Sequence, residues 1–147
     1  MGALPELLLT DHSGLTHSLD LAWLDQLGQR ALPKVAARQL PDSVLRTLEE
    51  VEITLVDDAT ISQVHGQFMN IAEPTDVITF HHGEVLISIE TARHQAAEYD
   101  RSLRDEVALY IIHGLLHLAG YPDKSAEDFE RMATTQESIL KDCLAER

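Results

Sequence analysis

One cysteine, Cys143, stands in a chain of 147 residues. That scarcity excludes an internal disulfide and suits a reducing compartment. Long apolar runs are missing too, so no segment reads as a membrane span. The opening Met1-Gly-Ala-Leu-Pro-Glu6 has no basic region of the kind a secretory signal carries. Glu6 also stands where a myristoylation signal at Gly2 needs Ser or Thr. Together these absences predict a cytoplasmic chain without a membrane partner. Basic side chains are few, 11 against 25 acidic ones, for a net charge of −14. Such a balance does not mark an obvious nucleic-acid binder, because phosphate backbones favour basic surfaces. The shortage is uneven: residues 41–90 hold ten acids and one base, whereas residues 19–40 carry three bases against two acids. A local basic face therefore stays open. No internal repeat or low-complexity segment is visible.

What is present fits one domain over residues 1–147, with a hydrophobic fraction of 44%. Leu7–Thr10 reads as a first strand, and Asp11-His-Ser-Gly14 as its turn. Leu19, Trp23, Leu24 and Leu27 recur at helical spacing, with Pro33 limiting that helix or restarting it. Val51–Val56 alternates as a strand should, and Asp57-Asp58 can cap a helix that puts Ile61, Val64, His65 and Phe68 on one face. Thr75–Phe80 and Glu84–Ile89 are two further strands. The short His81-His82-Gly83 link makes them an antiparallel hairpin. A helix over about Glu90–Tyr99 follows, then one capped by Ser102 that is apolar nearly all round and so belongs in the core. Gly120 and Pro122 end it, and Ser125 caps a last helix. Early strands and late helices predict an α+β domain, with a small mixed sheet of about four strands and about five helices.

The buried helix ends in His113-Gly-Leu-Leu-His117-Leu-Ala-Gly120-Tyr-Pro-Asp123. Residues four apart share one helix face, so both imidazoles can aim at one ion. A glycine at the helix end can take the left-handed conformation, which lets Asp123 fold back towards the same point. Two imidazoles and a carboxylate are ordinary zinc ligands, and three protein ligands leave one position for water. The competing reading is a pair of satisfied core histidines in a chain that has eight. Against it, imidazoles without partners are costly in a helix with so little polar surface, and the spacing matches extended zinc motifs. Zinc peptidases place Glu directly after the first histidine as general base, whereas here that position is Gly114. A peptide substrate is therefore not expected.

These residues resemble the YbeY family of bacterial endoribonucleases and ribosomal RNA maturation factors. His113 to Tyr121 matches its H-G-x-L-H-L-x-G-Y, Pro74 to Phe80 its P-T-D-V-L-S-F, and Gly83 to Ser88 its G-D-I-x-I-S. The resemblance implies one zinc ion held by His113, His117 and Asp123, with a bound water as nucleophile. It also implies cleavage of single-stranded RNA in small-subunit ribosomal RNA 3′-end maturation and ribosome quality control. Two departures stand out. Asp123 takes the place of the family's third histidine, and Met69 falls where the family has an arginine, in a segment (65–73) without Arg or Lys. The second departure keeps open an alternative, a metal-stabilised ribosome-assembly factor with little nuclease activity. A zinc hydrolase of some other small substrate is a third reading.

The remaining candidates have blander readings. His65 reads as core or boundary, and His81 and His82 as solvated turn residues. Asp76 and Glu84 read either as site residues or as strand-edge hydrogen-bonding groups. Arg30, Lys34 and Arg38, spaced i, i+4, i+8, read as a solvated face before an RNA-contacting stripe. Trp23 reads as core. The general base is not assigned.

Overall fold

The computed structural model describes residues 4–69 and 76–146. Four strands, β1 (Glu6–Asp11), β2 (Glu50–Val56), β3 (Val77–Phe80) and β4 (Glu84–Ser88), form one mixed sheet in the order β1-β2-β4-β3. Five α-helices complete the described residues: α1 (Leu21–Ala36), α2 (Asp58–Met69), α3 (Ile89–Glu98), α4 (Leu103–Leu118) and α5 (Ala126–Ala145). A 3₁₀ turn covers Leu45–Thr47. β1, β2 and β4 run parallel, while β3 and β4 form the antiparallel hairpin that their short link demands. The expected α+β class, strand number and helix number all hold. Thr75, the first residue of the expected third strand, lies outside the described residues, as does Pro74 before it. No helix among the described residues is long and apolar enough to cross a membrane.

Alternation along the strands divides the apolar residues between two faces. Leu7, Val51, Ile53, Leu55, Val85 and Ile87 join the main core with α1, α4 and α5. Val56, Ile78 and Leu86 turn the other way and pack with Ile61 of α2. This period of two puts α4 on one face of the sheet and α2 on the other. Helix α4 is the centre of the molecule: Val107, Ala108, Ile112, Leu115, Leu116 and Leu118 are all fully buried. Its first turn is capped by Ser102, whose side chain accepts from the Asp105 amide. Helix α5 opens with a full capping box between Ser125 and Asp128.

Two local expectations change. Pro33 neither ends nor restarts α1, which runs through it to Ala36. Buried Leu32 and Val35 on either side anchor that last turn in the core, offsetting the roughly 3 kcal/mol that an interior proline costs. Trp23 lies at the rim of the core, partly buried, with the Arg104 guanidinium 3.9 Å above its ring. The basic stripe keeps its reading as a solvated face, and α5 and the residue after it supply its partners. Arg30 donates to the Glu146 carbonyl, Lys34 pairs with the Glu146 carboxylate, and Arg38 lies 3.9 Å from Asp142. Acidic residues near the end of α5 thus neutralise the face that sequence spacing made continuous.

Candidate metal centre

The C-terminal end of α4 is held in place on every exposed carbonyl. Gly120, at φ +98°, donates to the His117 carbonyl, and Tyr121 donates to that of Leu116. This is the Schellman pattern, which needs a left-handed residue at that point. Amides of Val44 and Leu40 bond the carbonyls of Leu118 and Ala119. Groups that a helix end normally leaves without partners are therefore fixed to the loop at 40–44. The Tyr121 hydroxyl donates to the Arg38 carbonyl and secures the reversed chain.

This reversal brings His113, His117 and Asp123 together, with one potential ligand atom from each within 4.8 Å of the others. The Nε2 atoms of His113 and His117 are 3.0 Å apart, and Asp123 Oδ2 is 3.3 Å from His117 Nε2. Two ligands at tetrahedral positions around zinc would be separated by about 3.3 Å, so the spacing suits one shared ion. The protonation pattern suits it as well. His117 Nδ1 donates to the Tyr121 carbonyl at 2.9 Å, and His113 Nδ1 donates to Gln136 Oε1 at 3.1 Å. A neutral imidazole that donates through Nδ1 has a bare lone pair at Nε2. Two such lone pairs and a carboxylate oxygen face one another, an arrangement that a cation stabilises. Burial, and then the neighbouring His113, hold His117 below the usual imidazole range, while Asp123 pulls in the opposite direction. That direction favours the neutral form that ligation requires. Access is asymmetric: the His117 side chain is 21% exposed and that of Asp123 47%.

Sequence spacing does not reveal the two groups that orient the imidazoles. Gln136 comes from α5, 23 residues beyond His113, and carries no motif. The Tyr121 carbonyl is backbone and leaves no residue-type signal. Partners of this kind fix the tautomer and direction of a ligating histidine. Replacing Gln136 by alanine is expected to weaken divalent-metal affinity about 10–100-fold while the unfolding temperature of the metal-free protein changes little. Calorimetric metal titration alongside thermal unfolding measures both.

A cleft of about 320 Å³ opens over the three residues and is also lined by His65, Asp76, Val77, Ile78, Thr79 and His81. His65 is partly buried, as its boundary reading requires, but it faces this cleft. His81 is exposed, as expected, and also reaches the cleft; His82 instead stacks on Phe80 and lies 3.7 Å from Glu84. Asp76 bonds the Val77 amide through its side chain and the Ser88 amide through its carbonyl, so both readings of this residue have support. Glu84 is not among the lining residues. Gly114 has a packing role: a Cβ there would lie 2.7 Å from Val85 Cγ1 and 3.5 Å from Thr79 Oγ1. Its lack of a side chain lets α4 sit close against β4 beneath the two histidines.

Comparison with known proteins places the chain. A family model described as Endoribonuclease YbeY matches residues 16–144. A protein from Persephonella marina named Endoribonuclease YbeY is 32% identical over 133 residues, covering 79% of this chain and 87% of that protein. A protein of the same name from Endomicrobium trichonymphae is 36% identical over 119 residues, covering 77% and 84%. The solution structure of a Thermotoga maritima protein superposes with a TM-score of 0.59 at 23% identity, over 92% of this chain and 90% of that one, and supports the fold. With the family model matching nearly the whole chain, this protein belongs to the YbeY endoribonuclease family.

Proposed function

We propose that this protein is a zinc-dependent endoribonuclease that cuts single-stranded RNA in the cytoplasm. Its role is maturation of the 3′ end of small-subunit ribosomal RNA and ribosome quality control. The observation that carries this reading is the convergence of three lone-pair donors, His113 Nε2, His117 Nε2 and an Asp123 oxygen, at the floor of an open cleft in a YbeY-family chain. A bound divalent ion would supply Lewis acidity towards a phosphoryl oxygen and activation of water. The chain's own residues supply the rest. Gln136 and the Tyr121 carbonyl hold the imidazoles in the ligating tautomer. Gly114 sets the height of the floor against β4. Asp76, exposed and within the cleft, is placed to accept a proton from a reacting group.

A second reading, a metal-stabilised ribosome-assembly factor with little hydrolysis, is favoured by one observation: no lysine or arginine lines the cleft among the described residues. Charge stabilisation of a phosphoryl-transfer transition state commonly uses such cations. Incubating the purified protein with matched single-stranded and duplex RNAs separates the two. The nuclease reading predicts cleavage of the single strand that stops on chelation and returns with zinc. Intact RNA under zinc-replete conditions, with ribosomal small subunits still bound, favours the assembly factor.

A further inference from the structure

Two of the chain's 11 basic side chains, Arg30 of α1 and Arg104 of α4, line one cavity at the opposite end of α4 from the metal centre. Arg104 stands in the first turn of that helix and His117 in the last, about 20 Å apart at a rise of about 1.5 Å per residue. The cavity holds about 550 Å³, the size of an ordinary small-molecule site. Trp23, Leu27 and Leu144 give it apolar walls. The Arg104 guanidinium lies 3.9 Å from the centre of the Trp23 ring. Its hydrogen bond, from Nε to Asp105 Oδ1 at 3.3 Å, joins sequence neighbours at the surface, where such pairs contribute little. Arg30 donates from Nη1 to the Glu146 carbonyl and makes no other hydrogen bond among the described residues. Glu146 is the one carboxylate among the lining residues, and Lys34 pairs with it. Two guanidiniums, each with N–H donors to spare of the five it carries, therefore border a space whose acid is already matched. In a chain of net charge −14, this is a local site for an anion. Arginine suits phosphate, because its planar fork bonds two oxygens at once. A ligand that answers both the cations and the apolar walls carries a phosphate and a flat ring.

We propose that this cavity binds a nucleotide unit, with its phosphate on Arg30 and Arg104 and its base against Trp23, Leu27 and Leu144. The unit is a free nucleoside monophosphate or one residue of a bound RNA strand. The site stands apart from the metal centre and goes beyond the nuclease reading, which gives it no role.

Trp23 is the chain's single tryptophan, so its fluorescence reports this cavity. The test titrates the full chain with AMP and with a fully 2′-O-methylated single-stranded oligonucleotide, which binds without being cut. Saturable quenching of Trp23 is expected, with inorganic phosphate competing against AMP. Arg30→Gln weakens AMP binding about tenfold or more, the range for a charged hydrogen bond lost. Arg104→Gln does the same, read by calorimetry because it also alters the surroundings of Trp23. Neither arginine is buried, so unfolding temperatures stay at the wild-type value. Lys141→Gln removes the same charge from outside the cavity and leaves the affinity unchanged. Tighter binding of the oligonucleotide than of AMP identifies an RNA strand as the source; AMP binding at least as tightly identifies a free nucleotide. No saturable quenching by either, or equal affinity in wild type and both arginine variants, overturns the proposal. His117→Ala, which disrupts the metal centre, leaves the quenching intact, so failure of the nuclease reading and failure of this site are told apart.

Discussion

His117→Ala is expected to abolish stoichiometric metal binding and, with it, RNA cleavage. The variant removes the central ligand, whose Nε2 lies 3.0 Å from that of His113 and 3.3 Å from the Asp123 carboxylate. His113 and Asp123 alone make a two-ligand site, short of the three that catalytic zinc sites use. A metal that stabilises developing charge by several kcal/mol is worth about 10³-fold or more in rate, and that factor should disappear. The fold should persist, because the end of α4 is secured by backbone bonds from Leu40, Val44, Gly120 and Tyr121 that do not involve the imidazole. Metal analysis by mass spectrometry, circular dichroism and a single-turnover RNA assay check the three parts. Full metal content together with full cleavage would show that the site lies elsewhere.

Gly114→Ala is expected to damage both stability and the site. The added methyl would sit 2.7 Å from Val85 Cγ1 and 3.1 Å from its Cγ2. Val85 is fully buried in β4, and a β-branched side chain has little rotamer freedom with which to yield. Overpacking of this kind costs about 1–3 kcal/mol, or a fall in melting temperature of about 2–12 °C for a domain of this size. The strain acts beside His113, so metal affinity falls as well. Adding Val85→Ala should restore part of both losses, because it removes the atoms in conflict. Gly114→Glu, which writes the peptidase motif into the helix, should be more destabilising and gain no peptidase activity. Wild-type stability in Gly114→Ala, measured by thermal unfolding, would show that the close approach of α4 and β4 does not constrain this position.

Much of this architecture is local and was therefore legible. Ser102 and Ser125 announce helix starts because a side-chain oxygen can bond an amide three residues on, and both do so. The His81-His82-Gly83 link is too short for anything but a hairpin. The candidate metal triad is also local: an i, i+4 pair and a glycine reversal bring three potential ligand atoms together within eleven residues of chain. What was hidden depends on tertiary placement. Gln136 reaches His113 only because Met132, Ile139, Leu140 and Cys143 set the buried face of α5. The charges of Lys34 and Arg38 meet acids more than a hundred residues away, and Arg30 meets a backbone carbonyl just as distant. Pro33 stays helical because its neighbours are buried. His65 looked like a boundary residue from its helix face, and its view of the cleft depends on the packing of α2 against the sheet. Met69, the position of the family arginine, ends α2, and the residues immediately after it lie outside those described.

The central claim is that His113, His117 and Asp123 jointly hold one ion. X-ray absorption at the zinc edge of the purified, metal-replete protein tests it most directly. The expected spectrum contains two imidazoles and lighter oxygen ligands at about 2.0–2.2 Å, with no sulfur, since Cys143 is buried in the main core. A sulfur shell, a single imidazole, or no zinc at the edge would contradict it.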